Sequence, residues 1–134
     1  PMKGLVWDRT LSVDIDEIDE DHRRLVDLFN MLSRAVAEGD DPDIVEALTE
    51  ELISCTVWHF RHEERLMLQH GYQGLSEHKA EHEELIASAK ALQQKLLQGG
   101  KSPGSEDIEF LEHWLTGHIL GADMDLGAYL CEAM

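Results

Sequence analysis

The residues with the most chemical content in this sequence are histidines set among carboxylates: IDEDH at 18–22, WHFRHEE at 58–64, HKAEH at 78–82 and HILGAD at 118–123. His59 and Glu63 are four apart, which on a helix places them roughly 40° from one another on one face. Helix-period apolar stripes elsewhere in the chain, extended by their own period, reach five histidines. Leu25, Phe29, Leu32 and Val36 continue back to His22; Val45, Leu48, Leu52 and Cys55 continue to His59, with Glu63 one turn on; Leu75, Leu85, Ala89, Leu92 and Leu96 take in His78 and His82; Ile108, Leu111 and Leu115 continue to His118. A buried imidazole without a partner costs free energy and a buried carboxylate costs more, so such a cluster must be compensated internally. A metal site does this. Imidazole suits iron, copper, nickel or zinc, and carboxylate bridges capped by histidine are typical of paired iron or manganese in bundle cores. Five histidines and at least one carboxylate exceed the needs of a single tetrahedral zinc ion, so two metals are the economical reading.

Periodicity leaves Asp123 open. It follows His118 by five, roughly 140° away on a regular α-helix, but Gly117 and Gly121 lie close by, and a π-type bulge or a break near Gly121 would bring the two side chains to one site. The other histidines fall outside the pattern: His113 on an outer face, His62 off the stripe centre, His70 at a helix end. Glu64, Glu81, Glu83 and Glu84 read as solvated helix face.

The elements that must position these groups are four. Proline- and glycine-bearing interruptions at EGDDPD (38–43), HGYQG (70–74) and GGKSPGS (99–105) cut the chain into segments of helix length. Asp41 and Pro42 form a helix start, Gly99 and Gly100 a helix end, and the acidic residues after Ser105 favour a helix N-terminus. No strand-like alternation occurs. Short connections between long amphipathic helices predict an all-α, up-down-up-down antiparallel four-helix bundle. The reading is one domain over 1–134, with an irregular arm over 1–17, helices over about 18–38, 42–70, 74–98 and 105–120, and a short C-terminal helical segment over 122–132. Distances counted from the shared turns set His22 level with His59 and Glu63 level with His82, with His118 about 6 Å off.

A length of 134 residues is enough for one well-buried core. With 28 acidic and 11 basic residues the net charge is −17, which repels phosphate backbones and anionic headgroups, so nucleic acid and membrane surfaces are poor partners. The same repulsion favours a monomer. No stretch approaches the roughly 18 apolar residues of a spanning helix, and the start of the chain lacks a secretory pattern, so a soluble, cytoplasmic protein is expected. Pro1 ahead of Met2 reads as a processing scar. Cys55 and Cys131 match no metal or redox spacing; Cys55 reads as a buried thiol on an apolar face.

The combination of IDEDH, HFRHEE, HKAEH and HILGAD resembles the hemerythrin family, specifically the single-domain bacterial hemerythrins, over essentially the whole chain, including an arm that carries Trp7. The resemblance implies a non-haem di-iron site with an oxo or hydroxo bridge. His22 and His59 would hold one iron, His78, His82 and His118 the other, and Glu63 and Asp123 would bridge both. It implies dioxygen as the ligand, bound where the iron with two histidines is one position short. It also implies that Trp114 and Leu115 line the oxygen pocket, although core packing alone would account for both. With Phe60, and Leu25 or Phe29, they would form an apolar wall that keeps water out. The expected function is reversible dioxygen binding, for storage or for delivery to an oxygen-consuming enzyme, without enzymatic turnover. The alternatives are a sensor of oxygen, nitric oxide or redox state acting through a partner protein, a di-iron peroxidase or nitric oxide reductase, and metal storage.

Overall fold

The computed structural model describes residues 5–99 and 104–134, and among them the secondary structure is helical throughout. The expectations for Pro1 and Gly100 lie outside these residues. Four long helices, α1 (Asp16–Ala37), α2 (Pro42–Gln69), α3 (Leu75–Gly99) and α4 (Ser105–His118), are followed by a π-helical segment, Ile119–Asp123, and by α5 (Met124–Ala133). α1 packs on α2 and α4, and α3 on the same two, closing a four-helix bundle. The expected fold class is the one observed. Among the described residues no helix is long and apolar enough to cross a membrane.

Local chemistry sets the ends of the helices. The Asp41 carboxylate accepts a hydrogen bond from the Asp43 backbone N–H, with Pro42 occupying the first turn where its missing N–H costs nothing. Asp107 reaches back to the Gly104 N–H at 3.0 Å and caps α4. α1 and α2 both stop at glycines with left-handed backbone, Gly39 (φ 66°) and Gly71 (φ 63°). Beyond them Asp40 N–H bonds Ala35 C=O and Tyr72 N–H bonds Met67 C=O, satisfying carbonyls the helix leaves orphaned. α1 begins at Asp16, two residues before the helix was expected to start.

The arm is pinned rather than loose. Asn30 exchanges two hydrogen bonds with the backbone of Leu5, the Arg23 guanidinium stands 5.3 Å from the Trp7 ring, and buried Asp19 accepts from Val13 N–H at 2.8 Å. Packing divides the core in two. One cluster, around Leu25, Phe29, Leu32, Leu52, Ala89, Leu111 and Leu115, fills the end of the bundle at the α1–α2 turn. A second, formed by Val13, Ile15 and Ile18 with Leu66, Met67, Leu126 and Leu130, closes the other end. On α1, α2 and α3 the inward histidines lie between residues of the two clusters, and on α4 His118 follows those of the first. The fold is two apolar layers with one polar layer clamped between them.

Candidate metal centre

That polar layer contains the seven side chains His22, His59, Glu63, His78, His82, His118 and Asp123, all buried. Each is delivered by its helix period except Asp123. The π-helical stretch that begins after His118 takes one more residue per turn than an α-helix, so the i and i+5 side chains share a face and Asp123 turns inward. Gly117 and Gly121 are not what permits it: neither has a positive φ, and a Cβ at either would meet open space.

The five imidazoles point Nε2 at the two carboxylates, and the oxygens divide between them. Oε1 of Glu63 lies 3.0 Å from His82 and 3.5 Å from both His78 and His118, whereas Oε2 lies 3.5 Å from His59. Oδ1 of Asp123 lies 3.1 Å from His78 and 3.0 Å from His118, whereas Oδ2 lies 2.8 Å from His22 and 3.8 Å from His59. The result is two donor groups, Glu63–His78–His82–His118–Asp123 and His22–His59–Glu63–Asp123, that share both carboxylates.

Hydrogen bonding does not account for this arrangement. Buried Nε2 of His59, His78 and His118, Oε2 of Glu63 and Oδ1 of Asp123 have no hydrogen-bond partner. Such groups are costly to bury unpaired, and a pair of cations among them would satisfy all five. The donor set therefore fits two metal ions. Electrostatics agrees. Burial opposes charge on His59, but Glu63, Asp123 and Asp21 outweigh it and hold its pKa at about 10. Burial opposes charge on His78 in the same way, and Asp123 with Glu63 raises it to about 9; His118 is likewise well above the ordinary range. Against their own burial and mutual repulsion, the imidazoles lower Glu63 to about 2, and Asp123 lies well below its usual value. Both carboxylates stay ionised, as bridging donors must.

Three imidazoles pass their other nitrogen to a carboxylate. Nδ1 of His59 lies 2.8 Å from Asp21, Nδ1 of His82 2.9 Å from Glu64, and Nδ1 of His118 3.2 Å from Glu81. Glu64 and Glu81 are thus not simply solvated face, and His62, bonded to Asp21 and Glu17, is not idle. Sequence reading missed them because partners of this kind sit at the rim of a helix stripe, where periodicity assigns solvent; the signal available was a carboxylate one residue from an inward group (Asp21, Glu64, Glu81). His113 is exposed, as expected. Cys55 is only half-buried.

Beside the polar layer is a cavity of about 10 Å³, lined by His22 and His118 together with Leu25, Thr56, Phe60, Leu85, Trp114, Leu115 and Ile119. Phe29 is not in this lining: four residues beyond Leu25 on α1, it lies about 6 Å further along the bundle and belongs to the apolar cluster. Phe60 stacks on His82 with ring centroids 3.8 Å apart.

The family model of the hemerythrin HHE cation binding domain matches residues 13–130. The bacteriohemerythrin of Pseudomonas paraeruginosa is 35% identical over 122 residues, which cover 91% of this chain and 78% of that protein. The bacteriohemerythrin of Methylococcus capsulatus is 33% identical over 84% of this chain and 85% of its own. The crystal structure of a wild-type hemerythrin superposes with a TM-score of 0.86 at 28% identity, covering 94% of this chain and 97% of that one. With its four-helix bundle and its buried layer of histidines around two carboxylates, the chain belongs to the hemerythrin family.

Proposed function

We propose that this chain binds dioxygen reversibly at a non-haem pair of iron ions, as a store or for delivery to an oxygen-consuming enzyme in the cytoplasm. The observation that carries the reading is the division of the carboxylate oxygens. Glu63 and Asp123 each turn one oxygen toward the three-histidine group and the other toward the two-histidine group, which supports two ions bridged twice. His78, His82 and His118 would hold one ion, and His22 and His59 the other, leaving the second with fewer donors and room for a small ligand. When bound and reduced, iron supplies the electrons that dioxygen binding takes up and release returns.

The chain's own residues favour carriage over turnover. The cavity has room for about one water-sized molecule, and two of the polar groups in its wall are committed to the backbone. The Trp114 indole N–H is committed to Leu85 C=O at 2.9 Å, and the Thr56 hydroxyl donates to Leu52 C=O at 2.7 Å. Leu25, Phe60, Leu115 and Ile119 exclude water from the side facing His22 and His118.

The test is iron content together with the visible spectrum of the reduced, desalted protein before oxygen, after oxygen and after purging with argon. Two irons per chain, with an absorption that appears with oxygen and vanishes on purging without net oxidation, is the expected result. Immediate irreversible oxidation would move the function to sensing or catalysis, and fewer than two irons would overturn the assignment of the site.

A further inference from the structure

His62 is a histidine that helix periodicity leaves outside the inward stripes, yet it has a defined place. Its Nδ1 lies 2.6 Å from Oδ2 of Asp21 and its Nε2 lies 2.9 Å from Oε1 of Glu17. The same Asp21 oxygen lies 2.8 Å from Nδ1 of His59. A string Glu17, His62, Asp21, His59 therefore runs from an exposed glutamate to a fully buried ring and ties α1 to α2 at two points. The Trp58 indole stands against the His62 ring at 5.6 Å and restricts it further.

The two donor groups are supported unequally. In the three-histidine group, two rings have an outer carboxylate, Glu64 on His82 and Glu81 on His118. In the two-histidine group, Nδ1 of His22 has no partner, so outer support rests on Asp21 alone. Asp21 is buried and is itself held by His62, whose Nδ1 meets the same carboxylate oxygen as Nδ1 of His59 and so adds a second contact from α2 that fixes its orientation. With a metal bound, accepting Nδ1–H from His59 would leave Nε2 of that ring as the unprotonated, inward-facing nitrogen.

We propose that His62 is a positioning residue for the two-histidine side of the metal pair: through Asp21 it fixes which nitrogen of His59 faces the metal and the plane of that ring, and so sets how firmly the ion on that side is retained. The inference rests on the two-metal reading above, and it concerns the side on which the small ligand would bind. His62 does not touch the metal or the ligand.

Cobalt(II) alone is the probe. The purified protein is loaded with it, the bound ions are counted, and their loss to an excess of chelator is followed by visible absorption, which resolves two phases. For wild type, two bound ions are expected. In His62→Ala one phase should accelerate roughly 10–100-fold, the usual effect of losing an outer-shell partner, while the other keeps its wild-type rate. His62→Asn, whose amide nitrogen takes the place of Nδ1 toward Asp21, should restore the slow phase. His62→Gln, which reaches only toward Glu17, should not. In ¹⁵N spectra of the zinc-loaded protein, the Nδ1–H signal of His59 should be present in wild type and His62→Asn and be lost to exchange in His62→Ala. Equal acceleration of both phases, equal rescue by Asn and Gln, or unchanged rates with two ions bound would overturn the inference alone. Fewer than two ions in wild type would overturn the two-metal reading and this inference with it.

Discussion

Seven buried polar side chains in one layer must answer one another's charge, and this has a consequence for pH. In the metal-free protein the answer is imidazolium against carboxylate. His78 and His59 have folded pKa values near 9 and 10, above the ordinary 6.5, so their contribution is fully present below pH 6.5 and is lost as pH rises through 9 and 10. Glu63, at about 2 against an ordinary 4.5, contributes above 4.5 and loses its contribution as pH falls through about 2. Metal-free protein should therefore melt at progressively lower temperature between pH 7 and 10. Metal retention should run the other way, weakening as pH falls because protons compete for the same nitrogens. Thermal melts of both forms across this range check the pair, and a metal-free melting temperature that rises toward pH 10 would contradict it. At the same scale, Leu115 walls the cavity beside His118. Leu115→Asn should admit water and speed autoxidation of the oxygenated protein, by about tenfold if the barrier falls by ~1.4 kcal/mol; an unchanged decay of the oxygenated spectrum would remove its shielding role.

At the scale of elements, the segment after His118 is where local sequence and packing part company. The π-helical turn turns Asp123 inward and passes directly into α5, whose Leu126 and Leu130 are fully buried beneath the site. Glycine is incidental to the bulge: Gly121→Ala meets open space and should be neutral or stabilising by up to about 1 kcal/mol, with metal content unchanged. Gly127 is different. A Cβ there would lie 2.5 Å from the Val13 carbonyl oxygen, a backbone atom fixed by the hydrogen bond between Val13 N–H and Asp19. Gly127→Ala should cost about 1–3 kcal/mol by overpacking and loosen the arm together with α5. Denaturant melts of the two variants side by side test the contrast, and equal midpoints would refute it.

Over the whole molecule, a net charge of −17 on 134 residues means that the folded surface repels itself. Stability should rise with sodium chloride between low and moderate ionic strength as this repulsion is screened. A melting temperature that falls with salt would mean that specific surface ion pairs outweigh the repulsion. The groups of the site would be little affected, because they are buried between two apolar clusters and shielded from the solvent ions.

Much of this architecture is legible in the chain itself. Stripes at helix period, three breaks rich in glycine and proline, and histidines that continue the stripes determine a four-helix bundle with five inward imidazoles and Glu63, because hydrophobic burial acts on the same period that places the side chains. The cavity wall of Leu25, Phe60, Trp114 and Leu115 was expected from the family resemblance rather than from the period, and these four residues do line the cavity. Asp123 does not follow from the period, since a five-residue spacing has no fixed direction until packing of α5 selects a π-helical turn. Nor do Asp21, Glu64, Glu81 and His62, whose partners lie 18 to 45 residues away in sequence. Sequence determined which faces turn inward; only the tertiary structure decided how the rims of neighbouring helices meet, because a hydrogen bond between helices depends on the height and rotation at which they dock, and no single helix encodes either.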